Sequence, residues 1–176
     1  MITILRNIAL AVLMLGLAGC TDEPPPLPTV AAVDLGRYQG DWHEIALLPN
    51  SFQSICAAET QANYRIDGDL VRVRNQCRKA DGSLEQAHGI AKVVEGSSNT
   101  KLRVSFFRPF YGNYWILALD PDYRWVLVGE PSRQYGWVLS RTPTLEDDVL
   151  QGILDRAQAL GYARTAFHAS PRAPQR

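Results

Sequence analysis

The stretch Asp69-Leu70-Val71-Arg72-Val73-Arg74-Asn75-Gln76-Cys77 alternates between side chains that favour water and side chains that avoid it. Successive side chains of a strand point to opposite faces, so Arg72, Arg74 and Gln76 share one face. Val71, Val73, Asn75 and Cys77 share the other, which is the buried one. The dipeptide Asp67-Gly68 just before is turn chemistry. A tight two-residue hairpin there pairs Tyr64 with Val71 and puts Tyr64 on the inner face. Reading outward in both directions predicts eight strand-like runs: 41–48, 58–66, 69–76, 83–94, 101–107, 113–119, 123–129 and 135–140. Asp81-Gly82, Gly96-Ser97-Ser98-Asn99 and Asp120-Pro121-Asp122 supply further turns. No long helical pattern separates the runs, so consecutive strands are antiparallel. In the fifth run Lys101, Arg103 and Ser105 face out, and Leu102, Val104 and Phe106 face in. The run 113–119 is apolar on both faces and needs an outer cover.

The cover follows the last strand. Pro143-Thr144-Leu145-Glu146-Asp147-Asp148 reads as a helix start, with Thr144 as N-cap and acids complementing the helix dipole. Val149, Leu150, Ile153, Leu154, Ala157 and Leu160 form an apolar stripe at helical spacing, and Gly161 is a stop. The run 164–168 could add a ninth strand. The order predicts an all-β fold: an eight-stranded up-and-down antiparallel barrel with one C-terminal α-helix packed outside. Closure removes the exposed sheet edges.

Composition narrows the function. In 176 residues, 18 Lys and Arg balance 18 Asp and Glu, which argues against a nucleic-acid partner. With His43, His88 and His168 scattered and no HExxH, CxxC, GxSxG or GxGxxG motif, no metal site, cofactor or catalytic residue is predicted.

The N-terminus is an address. Arg6 is followed by an apolar run over 8–17, too short for a bilayer span that needs about 20 residues. Leu17-Ala18-Gly19-Cys20 resembles the lipobox of bacterial lipoproteins. That resemblance implies a signal peptide over 1–19, cleavage before Cys20 and acylation of that cysteine. Thr21, not Asp, follows Cys20, which in such proteins points to the outer membrane. A Pro-rich tether, with Pro24-Pro25-Pro26-Leu27-Pro28, covers 20–32. The barrel domain then spans 33–170 and a tail 171–176.

The motifs resemble the lipocalins, in particular the bacterial outer-membrane lipoprotein lipocalins related to apolipoprotein D. Asp34-Leu35-Gly36-Arg37-Tyr38-Gln39-Gly40-Asp41-Trp42 is similar to their first motif, a short helical turn followed by G-x-W. Asp120-Pro121-Asp122-Tyr123 is similar to their T-D-Y turn, with Asp or Pro where Thr is usual. Leu139-Ser140-Arg141-Thr142-Pro143 is similar to the third motif, an arginine ending the eighth strand. The likeness runs from about Asp34 to His168. It implies structural roles for Gly40, Trp42, Asp122, Tyr123 and Arg141, with Arg141 stacked on Trp42 at the closed end; a ligand carboxylate is the alternative partner for Arg141.

The inward set nearer the open mouth is the candidate ligand site: Tyr64, Val73, Asn75, Val104, Phe106, Tyr114, Ile116 and Trp137. By the resemblance, Tyr64, Asn75, Tyr114 and Trp137 fall where apolipoprotein D lines its pocket. Aromatic walls suit an acyl chain, and phenols with an amide suit its head group. Export puts Cys56 and Cys77 in an oxidising compartment, where an even pair implies a disulfide. A strict two-residue turn would leave them diagonal, about 7–8 Å apart, so a bulge or looser turn must close the gap. A free reactive thiol is the alternative. The expected partners are a lipid ligand and a membrane reached through lipidated Cys20, with a homodimer left open. Carriage of fatty acids, lysophospholipids or similar amphiphiles at the outer membrane is the leading reading. A lipocalin-fold enzyme using Glu44 or the tyrosines, and an envelope interaction protein with a filled barrel, are the alternatives.

Overall fold

The computed structural model describes residues 26–172; Cys20, the signal segment and residues 173–176 lie outside them. Asp34 opens the fold: its carboxylate accepts from the Gly36 and Arg37 N–H groups and caps α1 (Leu35–Tyr38). Gly40, at φ +96°, turns the chain into β1 (Gly40–Leu47). There follow β2 (Ala58–Asp67), β3 (Leu70–Arg78), β4 (Leu84–Val93), β5 (Lys101–Phe107), β6 (Phe110–Leu119), β7 (Trp125–Gly129) and β8 (Gly136–Ser140). Each pairs antiparallel with the next, and β1 pairs with both β8 and β2, closing the barrel. The eight predicted runs correspond to these eight strands in order.

Four local expectations are corrected. The β2–β3 loop is Gly68-Asp69, one residue later than Asp67-Gly68, so Tyr64 pairs with Val73, not Val71. Gly68 takes the left-handed conformation (φ +58°) that the first position of this two-residue turn requires. The two-residue shift preserves parity, and Tyr64 still faces inward. The sixth strand begins at Phe110, three residues before 113, because the β5–β6 hairpin is longer than its polar residues suggest. The cover helix α2 (Asp147–Ala159) has Glu146, not Thr144, at its N-cap. The Thr144 carbonyl is instead taken by the Thr142 hydroxyl in the bend after β8. Residues Arg164–Ala166 form a 3₁₀ turn, and the ninth strand is only β9 (His168–Ala169), on β1 at Ala46 and Leu47. It sits where β2, paired with β1 only from Gly40 to His43, has left β1 free.

Two cores result. Trp42, Tyr64, Val71, Val73, Ala91, Leu102, Ile116, Val126 and Val128 pack inside the barrel. Outside, α2 lays Ile153 and Ala157 on Ile45, Leu117, Leu127 and Val138, covering the second face of β6. Packing reaches back to Leu27, which is buried in this outer cluster ahead of Val33. Gly161, at φ +88°, ends the helix as expected.

Cys56 and Cys77 are bonded, with Cα atoms 5.5 Å apart. Cys56 precedes β2, and a bulge between Ala58 and Gln61, with Glu59 at φ +53°, bends the chain towards β3. The bridge closes a loop of 21 residues' separation, so its loss is expected to cost about 3 kcal/mol. Urea unfolding of the oxidised and the Cys56→Ala/Cys77→Ala forms measures this.

Candidate functional site

The closed end is a plug. The Arg141 guanidinium lies 3.9 Å from the Trp42 ring centroid. It donates to four backbone carbonyls, of Arg37, Tyr38, Asp41 and Tyr123, at 2.7–3.3 Å. Every acceptor is on the protein itself, which leaves the guanidinium committed to structure. A Cβ on Gly40 would sit 3.3 Å from an Arg141 nitrogen, so the glycine admits the arginine. Trp42 is fully buried and donates its indole N–H to the Tyr38 carbonyl. Tyr123 accepts the Asp34 N–H and stacks under Arg37.

In the β6–β7 turn the working acid is Asp120. It accepts from the N–H groups of Asp122 and Arg124 and from the Arg124 guanidinium. These bonds hold its carboxyl below the usual range. The exposed Asp122 contributes its backbone N–H. Motif resemblance pointed to Asp122; the burial of Asp120 reveals the true anchor.

Above the plug the inner wall changes character. Trp42, Val126, Val128 and Ile116 are completely buried, and the cleft between Tyr38, Tyr64, Val71, Leu102 and Tyr114 has room for about one water, some 10 Å³. Three phenols span this level: Tyr114 bonds Tyr38 at 2.7 Å and Tyr64 at 2.9 Å. Burial raises all three, Tyr64 to about 12, so they act as neutral hydroxyls. Nearer the mouth the inward positions are small or solvent-reachable. Asn75 of β3 pairs with Ala87 of β4, and Gly112 faces Val104. A Cβ on Gly112 would meet no atom within 4 Å. Phe106 is 44% exposed and lies over Gly89, where an added Cβ would come within 2.8 Å of its ring.

The predicted ligand residues thus divide by depth. Tyr64, Val73 and Ile116 belong to the packed level. Tyr114, bonded to Tyr38 and Tyr64, marks the boundary, and Asn75, Val104, Phe106 and Trp137 face the open half. The Asn75 Oδ1 is buried with no hydrogen-bond partner among the described residues. Such an acceptor is costly unless a donor meets it.

Sequence reasoning missed Gln53, on the short turn Ser51–Gln53 after β1. Its side chain reaches into the mouth, accepts from the Trp137 indole at 2.9 Å and donates to Glu44 at 2.7 Å. Ser170 donates to the other Glu44 oxygen. Nothing in a polar loop marks one glutamine as inward. Burial raises the Glu44 carboxyl, against the two hydrogen bonds. A raised folded-state value means stability is full below the unfolded value, about 4.3, and falls as pH rises through the folded one. Urea midpoints of the wild type are expected to fall, relative to Glu44→Gln, between pH 4 and pH 7.

Comparison with known proteins agrees with this architecture. The model of the lipocalin-like domain matches residues 33–172. The chain is 35% identical to the outer membrane lipoprotein Blc of Vibrio cholerae over 161 residues, 90% of this chain and 94% of that protein. It is 33% identical to rat apolipoprotein D, covering 72% of this chain and 70% of that one. The solved structure of insecticyanin from the tobacco hornworm superposes with TM-score 0.69 at 22% identity, covering 85% of this chain and 86% of that one. By domain match, identity and fold, the chain belongs to the lipocalin family, among the relatives of the bacterial outer-membrane lipoproteins.

Proposed function

We propose that this lipocalin binds a single-chain lipid or similar amphiphile in the open half of its barrel and carries or stores it at the outer membrane. A signal segment over 1–19 and a lipid anchor on Cys20, joined to the barrel by the tether, complete this reading. One observation carries it: the inner wall passes from packed core to a half lined by Ala87, Gly112 and solvent-reachable aromatics. An acyl chain would lie against Val104, Phe106, Tyr114 and Trp137, gaining about 0.8 kcal/mol per buried CH₂. Asn75 offers an acceptor to a hydroxyl or ammonium donor on the head group. No Lys or Arg stands among the eight proposed ligand residues, so head-group charge is a minor determinant.

Lipid extraction and mass spectrometry of the purified protein identify the ligand. Titration followed by Trp137 fluorescence is expected to give affinities within about tenfold for fatty acids and lysophospholipids of equal chain length. Gly112→Leu should abolish binding at nearly unchanged stability, because its side chain enters open space. Unchanged binding in that variant, or no binding of any amphiphile by the wild type, would defeat the proposal.

A further inference from the structure

Among the described residues, the exposed large apolar side chains are unevenly placed. Phe52 and Ile55 stand on the β1–β2 loop, Leu84 starts β4, Phe107 and Phe110 flank the β5–β6 tip, and Tyr135 precedes β8. All of these segments are at the open end of the barrel. The closed end contributes only Ile66, 38% exposed. Phe107 and Phe110 are 76% and 70% exposed and stack on each other, with the exposed Arg108 between them in sequence. Aromatic side chains with an adjacent cation suit the bilayer interface, where rings sit at head-group level and cations meet anionic lipid. Two other cations of the rim are paired, Arg78 with Glu59 and Lys79 with Glu85, while the Asp81 carboxylate accepts from Ser83.

The N-terminal segment limits how far the barrel can stand from an anchor on Cys20. Val33 bonds the β4–β5 turn at the closed end through Ser98, and Val30 bonds Ile116 on the barrel wall. Thr29 bonds Thr100 just before β5, and Leu27 is buried in the outer cluster. Six residues then separate Leu27 from Cys20, a reach of about 20 Å at the extended spacing of a Pro-rich chain. A lipid on Cys20 therefore keeps the barrel close to the bilayer surface, where a few side chains suffice to orient it.

We infer that the open rim, led by Phe107 and Phe110, docks on the surface of the anchoring bilayer, so that the barrel mouth faces its lipid supply. This rests on the proposed lipid binding and Cys20 anchor. A protein partner or second copy seated on four loops around an opening would instead close the mouth. The rim alone is a weak contact, which orients the barrel without replacing the anchor.

The test uses the lipidated full chain reconstituted in 3:1 phosphatidylethanolamine:phosphatidylglycerol vesicles. Phe110→Trp is expected to gain a blue-shifted emission, quenched several-fold by lipids brominated in the acyl chain, above the background of the native tryptophans. Ile66→Trp should gain none. Equal quenching at both positions, or none at either, overturns the proposal. Protection of Phe110→Trp that follows protein concentration and not brominated lipid assigns the rim to a second copy and also overturns it. With Cys20→Ala, weak partition onto the same vesicles should fall at least tenfold in Phe107→Ser/Phe110→Ser; no fall would overturn the docking whatever the anchor does. Ligand titration of the same variants in detergent reports the carrier reading separately, and should be unaffected by the rim changes.

Discussion

Trp42→Ala is expected to lower the unfolding free energy by about 3–5 kcal/mol, the range for truncating a large buried aromatic. Trp42 has no exposed surface, so the whole side-chain volume becomes a cavity. Arg141 loses the ring beneath it, 3.9 Å from its guanidinium carbon. Tyr38, whose ring centroid lies 5.0 Å from that of Trp42, loses its neighbour as well. The four carbonyl bonds of Arg141 remain available, which should keep the barrel closed. Urea unfolding should therefore show a lower midpoint with an unchanged slope. Lipid affinity of the folded fraction, followed through Trp137, should be preserved, because the proposed site lies in the other half. A loss of affinity larger than the loss of stability would place the ligand against the plug.

Gly129→Ala is expected to cost about 3 kcal/mol or more, although it adds a single methyl group. Gly129 ends β7 under the outer core. A Cβ there would overlap the Tyr162 hydroxyl and approach Leu117 Cδ1 to 2.7 Å and Tyr162 Cζ to 2.8 Å. Tyr162 is pinned by two hydrogen bonds, accepting the Glu130 N–H and donating to the Glu130 carbonyl. Moving the ring breaks both and leaves buried groups unpaired. Tyr162→Phe removes the overlapping oxygen, so the double variant should be less destabilised than the sum of the singles. Additive costs in a double-mutant cycle would show that the phenol yields elsewhere.

Alternation was enough to place eight strands in order, because burial on one face imposes a period of two that survives small register errors. The Tyr64 pairing moved by two residues and its face did not change. Parity also brought Val104, Tyr114 and Trp137 to one interior. What alternation does not carry is height along the barrel. Val73 and Asn75 share a face, yet one lies in packed core and the other in the open half. Strand tilt, plug size and the small residues Ala87 and Gly112 decide that division together. Thr144 is not the cap, because the Thr142 hydroxyl takes its carbonyl in the bend after β8 and the helix starts only after Glu146. Gln53 was invisible for a simpler reason: its role depends on Trp137, 84 residues away, and on a loop conformation that has no periodicity.

The carbonyls held by Arg141 also bear on the order in which the barrel assembles. Three of them lie 100–104 residues upstream, on the turn before β1 and on β1 itself. The plug therefore cannot form while the chain is incomplete. Loop closure over such a span delays the reward of each contact, which places this topology among the slow folders, in milliseconds to seconds. A nascent chain lacking β8 has neither a closed sheet nor its latch, and stays pliable until the last strand arrives. Late latching is thus a timing device: the molecule becomes rigid only once its last strand has joined the sheet.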